Sequence, residues 1–487
     1  MKINHNISAS ITKAQLLRTE NNIAATMERL SSGLKINSAK DDPSGIAISN
    51  KMAAQIEGLD QSSQNASNGI SVIEIADSAL SEITSMIQRM SELSVQAASD
   101  TNTYEDRTAI QAEISSLRDE IDRVAKDTEY NTKALLNGTL DTRVYASNIS
   151  RMLVSDTVSP GIYQIGITQA ATQSSVVSST STGTIPAGTI LINGLEVTIE
   201  EGESADVVYE KLREAGEQAR INVFETDAPP TVDFDANPTT AGYESSDTAF
   251  AYGDVLVFAS TEYGSMGTIE ITASTPELAA FLGLDTMTQT AGTDMQISLN
   301  LDPADSAFSA QATVTTSGNK VTITDIRGFT MDFMMDPGTN TMNGTVMEYM
   351  DIEVTSMGRM TLQIGANENQ TMDVRIPKIS SENLYLDELD VTKVDGGSRG
   401  ITILADALRS VSEARSKLGA YENRLDHAVS SLDASSEDMS SAISRIKDAD
   451  MAKEMTDYTK YNVLQQTAVS VLGQANDLPQ TVLQLLR

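Results

Sequence analysis

The side chains that could catalyse a reaction or hold a metal ion are few in this 487-residue sequence. It contains no cysteine, which excludes thiolate nucleophiles, thiolate metal ligands and disulfides. The only histidines, His5 and His427, are far apart in the sequence and do not form an HExxH zinc motif. No Walker A loop occurs. The GxSxG pattern occurs once, as GGSRG at residues 396–400, and a motif this short is by itself weak evidence of a serine nucleophile. The sequence therefore predicts a protein that is not an enzyme and that uses no cofactor and no metal ion.

Carboxylates are abundant, and they are concentrated in the middle of the chain. The formal net charge is −34. Residues 171–360 carry 28 acidic and 6 basic side chains, whereas residues 1–40 carry 2 acidic and 6 basic ones. Acidic side chains dispersed in a threonine-rich region are typical of a solvated surface and do not indicate a catalytic pair. Such a surface also excludes nucleic acid as a partner, because phosphate binding requires clustered lysine and arginine.

The sequence shows no sign of a membrane anchor or of a cleaved leader. It contains no run of about 18 apolar residues, so no membrane span is predicted. The first residues, MKINHNISAS, lack the continuous apolar segment of a secretory signal peptide. These observations leave two locations open. One is the cytoplasm, and the other is the outside of the cell, reached by an export route that leaves the N-terminus intact.

The N-terminal part has the apolar periodicity of long helices. Asp42-Pro43 predicts a new helix after a break, because an N-cap residue followed by proline is typical of a first helical turn. Similar stripes follow over residues 73–97 and 110–124. The first stripe has steps of three or four, apart from an interruption at Asn21. Its members are Ile3, Ile7, Ile11, Ala14, Leu17, Ala24, Met27, Leu30 and Leu34.

The C-terminal part has the same character. Apolar residues from Leu404 to Ile446 predict a helix of roughly 40 residues, about 60 Å long. The last stripe alternates steps of four and three, which is the period of a coiled coil. Pro479 is expected to kink or end this last helix because proline has no backbone N–H. The members of the stripe are Leu464, Ala468, Val471, Ala475, Leu478, Val482 and Leu485.

The middle of the chain, from about residue 137 to 375, is different in kind. It is rich in Thr, Ser, Gly, Asp and Ala. Short β-prone runs such as Thr189–Ile192 and Val321–Thr324 are separated by turn residues, and one helix is predicted over Ser204–Arg220. This pattern predicts one or two β-rich domains inserted between helical halves.

The apolar stripes of the terminal helices need a partner. One arrangement is an intramolecular helical bundle that carries a β-rich insertion. The other is association with neighbouring copies of the chain, since an amphipathic helix is stabilised mainly by the surface that covers its apolar face. Periodicity alone leaves both arrangements open.

Several segments resemble bacterial flagellins. On the N-terminal side they are LSSGLKINSAKDD, NGISVIEIADSALSEITSMIQRMSELSVQAA and IQAEISSLRDEIDRV. On the C-terminal side they are LQIGANENQTM, ARSKLGAYENRL and the final VLQQTAVSVLGQANDLPQTVLQLLR. These segments cover roughly residues 1–150 and 360–487 in the order of the family. Pro43-Ser44 departs from the small pair, often Ala-Ala, that is common in the family, and Glu422 replaces a usual glutamine.

The resemblance implies a mainly α-helical rod and coiled coil with an inserted β-rich (α+β) outer domain. Residues 1–42 and 451–487 would form the terminal coiled-coil core. Residues 43–175 and 359–450 would form a helical rod with a β-hairpin. Residues 176–358 would form a variable, surface-exposed outer part, where the acidic middle would face solvent.

The resemblance also implies a function and a set of partners. The chain would polymerise into an extracellular flagellar filament for motility after unfolded export through the flagellar type III apparatus. Its partners would be other copies of itself, an export chaperone that binds the last helix, and the filament cap and hook-associated proteins. The segment Leu464–Leu485 would be poorly ordered in the monomer and buried on polymerisation. The alternatives are a hook–filament junction protein and a secreted adhesin or immune ligand.

A second expectation from the resemblance concerns host recognition. Arg89, Leu93 and Glu113 match positions that contact Toll-like receptor 5 in flagellins recognised by it, and Gln96 is a weaker addition. Arg89, Leu93 and Gln96 follow at steps of four and three, which places them on one face of a helix. The alternative is that Leu93 packs in the core of the rod while the charged side chains are solvated.

Overall fold

The computed structural model describes most of the chain. Ile3 lies outside the described residues, and for Leu478, Val482 and Leu485 the backbone is described but the side chains are not. The described residues are 6–99, 101–155, 158–179, 185–226, 255–302, 305–326, 328–336, 342–343, 346–347, 349–355 and 358–485.

The chain forms two compact units. The terminal unit comprises Met1–Ser71, Thr361–Met372 and Glu422–Arg487. The central unit comprises Val72–Met360 and Asp373–Tyr421. No helix within the described residues is long and apolar enough to cross a membrane.

Long helices occupy both ends of the sequence, as the apolar periodicity predicts. The two longest contain 55 and 52 residues, so each is about 80 Å long at 1.5 Å per residue. The helices are α1 (Ile7–Ser32), α2 (Pro43–Ala97), α3 (Tyr104–Asp127), α4 (Ala205–Gln218), α5 (Pro276–Phe281), α6 (Gly396–Lys447) and α7 (Met451–Leu485).

The strands lie between α3 and α6, so the predicted β-rich insertion is confirmed. In chain order they are β1 (Glu129–Tyr130), β2 (Lys133–Ala134), β3 (Val144–Tyr145), β4 (Ile149–Val154), β5 (Gly161–Gln169), β6 (Gln173–Val177), β7 (Gly188–Ile192), β8 (Leu195–Ile199), β9 (Ile221–Thr226), β10 (Val255–Tyr263), β11 (Ile271–Ala273), β12 (Thr288–Thr290), β13 (Gln296–Leu299), β14 (Thr313–Ser317), β15 (Lys320–Thr324), β16 (Thr330–Met335), β17 (Met342–Asn343), β18 (Val346–Met347), β19 (Met350–Val354), β20 (Met360–Gln363) and β21 (Thr371–Val374).

The predicted break between the first two helices is confirmed. α1 ends just before Gly33, whose φ of 73° is a left-handed conformation that glycine adopts without strain. α2 begins at Pro43. The Asp42 carboxylate caps it by accepting hydrogen bonds from the backbone N–H groups of Ser44 at 3.1 Å and Gly45 at 3.0 Å.

In the terminal unit, α1 and α7 pack against each other in antiparallel orientation. At one end the Asn6 side-chain amide donates a hydrogen bond to the carbonyl oxygen of Ala475 at 2.7 Å. At the other end the Arg29 guanidinium lies 3.1 Å from the Glu454 carboxylate. The pairing joins segments at the two extremes of the sequence, as a coiled coil built from both ends requires.

Pro479 does not end the last helix, which continues to Leu485. Proline leaves the carbonyl four residues earlier, that of Ala475, without its usual helical donor. Here the Asn6 side chain supplies a donor to that carbonyl. The N-cap residue of α1 therefore replaces the lost helical hydrogen bond.

The β20–β21 hairpin packs closely on α2 within the terminal unit. The side chain of Leu362 occupies the space that a Cβ atom at Gly69 would need, and a Cβ atom at Gly58 would lie only 2.8 Å from the Cβ atom of Ala366. The Asn65 amide donates to the carbonyl oxygen of Gln363 at 3.3 Å. The two helix glycines therefore allow the hairpin to approach the helix backbone.

In the central unit the predicted apolar stripes of α2, α3 and α6 are buried. An ion pair between Arg415 of α6 and Asp77 of α2, with N–O distances of 2.9 and 3.2 Å, accompanies this core. Most of the helical core consists of aliphatic side chains. They include Ile73, Leu80, Ile83, Ile87, Met90, Ile114, Ile121, Leu404, Val411 and Leu418.

The β-rich part of the central unit has two hydrophobic cores. In the first, two four-stranded sheets, β13-β5-β19-β3 and β14-β15-β16-β4, enclose Tyr163, whose ring lies 5.0 Å from that of Phe308 and 5.5 Å from that of Phe329. In the second, the sheets β12-β6-β10-β9 and β11-β7-β8 pack with α4 and α5. The predicted helix over residues 204–220 is confirmed as α4, and the two predicted β-prone runs correspond to β7 and β15.

Strands from two distant parts of the sequence pair with each other in the β-rich part. β3, β4 and β5, between residues 144 and 169, pair with strands of residues 296–354. Strands on both sides of residue 176 therefore share the same sheets.

Buried and partly buried arginines tie the β-rich part to the loops that precede α6. The Arg375 guanidinium donates to the Asp141 carboxylate and to the carbonyl oxygen of Val154. Arg151 pairs with Asp387 at 2.5 Å and also with Glu388. These contacts hold the first strands of the β-rich part against the segment of residues 375–388.

Candidate functional site

The face of α1 that packs on α7 combines three threonines and an alanine with three larger aliphatic residues. These positions alternate steps of three and four, and all of them are partly or fully buried. The Thr19 and Thr26 hydroxyls donate to carbonyl oxygens of their own helix at 3.0 and 2.8 Å, so they need no partner on α7. The residues of this inner face are Ala9, Thr12, Leu16, Thr19, Ile23, Thr26 and Leu30.

The inner face of α7 follows the same period. It combines two tyrosines and a glutamine with smaller apolar residues, and Ala475 is its most buried alanine. The residues of this face are Glu454, Tyr458, Tyr461, Gln465, Ala468, Leu472 and Ala475. Contacts between α1 and α7 therefore use only part of the apolar surface of either helix.

A second set of apolar side chains on α1 points away from α7. Ile7 and Ile11 are 70% and 66% exposed, and Leu17 and Met27 are each 52% exposed. All four belong to the apolar stripe that the sequence analysis identified. In a single copy of the chain, these four members of the stripe therefore lie on the uncovered side of the helix.

An exposed apolar surface also runs along α7. Val463 is 56% exposed, and Leu464 and Val471 are 44% and 43% exposed. Met451 and Met455 lie on the same helix with similar exposure. We call the exposed apolar residues of the two helices the outward strips. They are Ile7, Ile11, Leu17 and Met27 of α1, and Met451, Met455, Val463, Leu464 and Val471 of α7.

The residues predicted to pack in a filament core divide between the two faces. Ala468 and Ala475 lie on the inner face of α7, whereas Leu464 and Val471 lie on its outward strip. Leu34, which follows α1, is partly buried and forms a β-bridge with Asp448. Leu30 is on the inner face of α1, and Ile7 and Leu17 are on its outward strip. The remaining predicted residues, Ile3 and the side chains of Leu478, Val482 and Leu485, lie outside the described part of the structure.

The outward strips can take part in association, because large exposed apolar surfaces on helices mark sites of contact with another molecule. Charge does not oppose this, since residues 451–487 carry three basic and three acidic side chains. Sequence reasoning found the apolar residues but not which of them face α7. Threonine recurs at every seventh residue, at positions 12, 19 and 26. This spacing is the sequence signal that could have identified the inner face.

The four residues expected to contact a receptor lie in the central unit. The Arg89 guanidinium donates to the Glu113 carboxylate at 3.0 Å and to that of Glu92 at 3.1 Å. Hydrogen bonding to Glu113, and secondarily to Glu92, raises the pKa of Arg89 above its ordinary value. Gln96 is exposed, whereas Leu93 is only 2% exposed and packs inside the unit. The structure therefore presents a polar patch of Arg89, Glu113 and Gln96 around a covered leucine.

Comparison with known proteins gives matches on both helical ends and along the whole chain. Residues 3–141 match the bacterial flagellin N-terminal helical region, and residues 401–486 match the bacterial flagellin C-terminal helical region. The flagellin of Clostridium tyrobutyricum is 33% identical over 480 residues, which are 99% of this chain and 100% of that protein. Polar flagellin A of Vibrio parahaemolyticus is 28% identical over 491 residues, covering 100% of this chain and 99% of that protein.

Among solved structures, FliC from Burkholderia pseudomallei aligns at 14% identity with a TM-score of 0.23, over 73% of this chain and 99% of that one. The helical terminal regions and the full-length relatives define a structural protein of the bacterial flagellar filament. The chain belongs to the bacterial flagellin family, as the resemblance of its terminal motifs predicts.

Proposed function

We propose that this chain polymerises through its outward strips into the extracellular flagellar filament that serves motility. The observation that carries the proposal is the exposure of the apolar stripe of α1 while a face rich in threonine packs on α7. A sequence selected to be stable as a single molecule would place Ile7, Ile11 and Leu17 on the covered face as well. Other copies of the chain supply the missing cover.

The energy available from this burial is large. Covering ~1,000 Å² of apolar surface contributes about 25 kcal/mol at ~25 cal/mol per Å², before the cost of ordering the partners. Such a margin allows the helices of the terminal unit to become fully ordered on assembly. It is compatible with unfolded export through the flagellar type III apparatus, because the chain ends need no stable fold before they reach other copies.

The proposal includes the partners expected from the family resemblance. An export chaperone would cover the apolar surface of α7 in the cytoplasm, where it would prevent early association. The filament cap and hook-associated proteins would meet the same strips at the two ends of the filament. Each of these partners competes for surface that copies of the chain cover in the polymer.

Seeded polymerisation tests the proposal, with two valines as a matched pair. Val463 is on the outward strip of α7, and Val207 lies on α4 of the central unit with comparable exposure. Val463→Asn places an amide in the subunit interface and should raise the critical concentration about tenfold, the equivalent of ~1.4 kcal/mol. Val207→Asn should polymerise like the parent.

Two results would count against the proposal. One is a parent protein that forms no long filaments from seeds, which is the behaviour of a hook–filament junction protein or of an adhesin. The other is an equal critical concentration for Val463→Asn, Val207→Asn and the parent, because association would then use another surface.

We also propose that Toll-like receptor 5 of a host binds the polar patch of Arg89, Glu113 and Gln96. The three side chains are exposed on α2 and α3, and the Arg89–Glu113 bond holds two of them in a fixed arrangement. Arg89→Ala should weaken binding to the receptor ectodomain, while Arg118→Ala on α3 serves as the control. Equal affinity of Arg89→Ala and the parent would remove this second function and leave the filament proposal untouched.

A further inference from the structure

The sulfur atoms of this protein are all in methionine. The sequence has 21 methionines and no cysteine, so thioethers are the sulfur groups that a peroxide can attack. Their exposure to solvent differs widely. Met90, Met295, Met331 and Met335 are fully buried, whereas Met27, Met266, Met287, Met451 and Met455 are exposed.

Three exposed methionines lie on the outward strips. Met27 of α1 and Met455 of α7 are each 52% exposed, and Met451 is 48% exposed. Met451 and Met455 are one helical turn apart and share a face of α7. Their sulfur atoms are therefore accessible in a single copy of the chain.

The antiparallel pairing brings Met27 to the level of Met455. The ion pair between Arg29 and Glu454 fixes the register of the two helices at this end. Met27 precedes Arg29 by two residues, and Met455 follows Glu454 by one. Because the helices run in opposite directions, both methionines are displaced from the ion pair toward the same end, by about 3 Å and 1.5 Å. The three methionines thus occupy one short stretch of the terminal unit.

We propose that Met27, Met451 and Met455 form an oxidation site that controls whether a subunit can join the polymer. This inference rests on the proposed function, since it requires that the outward strips become buried between copies. The oxidant is a hydroperoxide. The thioether sulfur attacks the terminal peroxide oxygen, the S–O bond forms as the O–O bond breaks, and the remaining oxygen leaves as water or an alcohol after proton transfer. Sulfur is oxidised by two electrons and the peroxide is reduced by two.

The chemical consequence follows from the change in polarity. Methionine is flexible and apolar, and it packs well in an irregular interface between subunits. The sulfoxide is a polar acceptor that would enter this interface without an assigned donor, and burying an unpaired polar group is unfavourable. We expect each buried sulfoxide to raise the critical concentration about tenfold, which corresponds to ~1.4 kcal/mol.

The experiment oxidises full-length monomer with graded amounts of hydrogen peroxide and then measures seeded polymerisation. The variant Met27→Leu/Met451→Leu/Met455→Leu retains apolar side chains of similar volume. Met266→Leu is the matched control, because Met266 is 66% exposed but lies in the central unit after β10. The parent and Met266→Leu should lose polymerisation with increasing peroxide, whereas the triple variant should retain it. Equal loss in the triple variant and the parent would overturn the inference.

A second measurement applies even if the triple variant assembles poorly. Partly oxidised parent is polymerised, and peptide mass spectrometry compares sulfoxide in filaments and in the remaining monomer. We expect depletion from filaments at Met27, Met451 and Met455 but not at Met266, and equal distribution at all four would contradict the proposal. Unoxidised parent that fails to elongate would instead contradict the proposed function.

Discussion

The Asn6 side-chain amide donates a hydrogen bond of 2.7 Å to the main-chain carbonyl oxygen of Ala475, 469 positions away in the sequence. Ala475 lies four residues before Pro479, so its carbonyl has no proline N–H to accept from. The Asn6 side-chain oxygen at the same time accepts from the Ala9 N–H at 3.1 Å and caps α1. One asparagine therefore caps the first helix and supplies a hydrogen-bond donor to the last helix.

This relationship predicts an energetic coupling between Asn6 and Pro479. In the parent, Asn6→Ala removes the helix cap and leaves the Ala475 carbonyl unpaired, at a cost of about 1–3 kcal/mol. In a Pro479→Ala background the restored N–H of residue 479 can donate to that carbonyl. Asn6→Ala should then lose only the stabilisation that the helix cap provides. Hydrogen exchange of the α1 and α7 amides in assembled protein measures both costs. Equal losses of protection in the two backgrounds would show that the residues act independently.

A prediction for the β20–β21 hairpin concerns Gly69 of α2. A methyl group at this position would overlap the side chain of Leu362, so Gly69→Ala should lower the free energy of unfolding by about 1–3 kcal/mol. The control is Gly419→Ala in α6, where an added Cβ meets no atom within 4 Å. That change should raise stability by about 0.5–1 kcal/mol, because alanine favours helix. Denaturant unfolding of the two variants would contradict this account if Gly69→Ala were the more stable one.

Another prediction concerns the buried arginine of the central unit. Arg375→Met would leave the Asp141 carboxylate without its cationic partner and should destabilise the unit by about 3–5 kcal/mol. The control is Arg123→Met on α3, since Arg123 makes exposed ion pairs with Glu120 and Asp127 and should barely change the unfolding midpoint. A similar shift in both variants would indicate a general effect of removing positive charge from an acidic chain.

The Asp294 carboxylate predicts a dependence of stability on pH. Its pKa is lowered, first by a hydrogen bond from the Gly318 N–H at 2.8 Å and then by bonds from Ser265. A lowered folded-state pKa gives stability that is present above the ordinary aspartate pKa and is lost as the pH falls through the folded value. Thermal unfolding should therefore show a smaller decrease from pH 7 to acid for Asp294→Asn than for the parent. The exposed Asp285, changed to Asn, provides the control, and identical acid sensitivity of Asp294→Asn and the parent would refute the assignment.

The sequence predicts the elements of this fold well where local signals decide them. The helix restart at Pro43, the α4 helix and the β7 strand all follow from capping, periodicity and β-propensity. The end of α7 could not be predicted in this way. Pro479 is a strong local signal for a helix end, and the compensating donor, Asn6, lies at the other end of the chain.

The orientation of α1 could be predicted only in part. Periodicity identifies Ile7, Ile11 and Leu17 as one apolar face, but it carries no information about which partner covers that face. Threonine is unexpected in a buried helix interface because its hydroxyl needs a hydrogen-bond partner. The hydroxyls of Thr19 and Thr26 find that partner in carbonyl oxygens of their own helix. In a chain that assembles, the strongest apolar stripe need not face the partner in the same molecule.

The most direct test measures the accessibility of a side chain on an outward strip before and after polymerisation. Because the chain has no cysteine, Ile11→Cys introduces a unique thiol, and Val207→Cys introduces the control thiol on α4. Both should react readily with a maleimide in the monomer. In filaments the account predicts strong protection at position 11 and unchanged labelling at position 207. Labelling of position 11 at the same rate in filament and monomer would contradict the claim that neighbouring copies cover the outward strips.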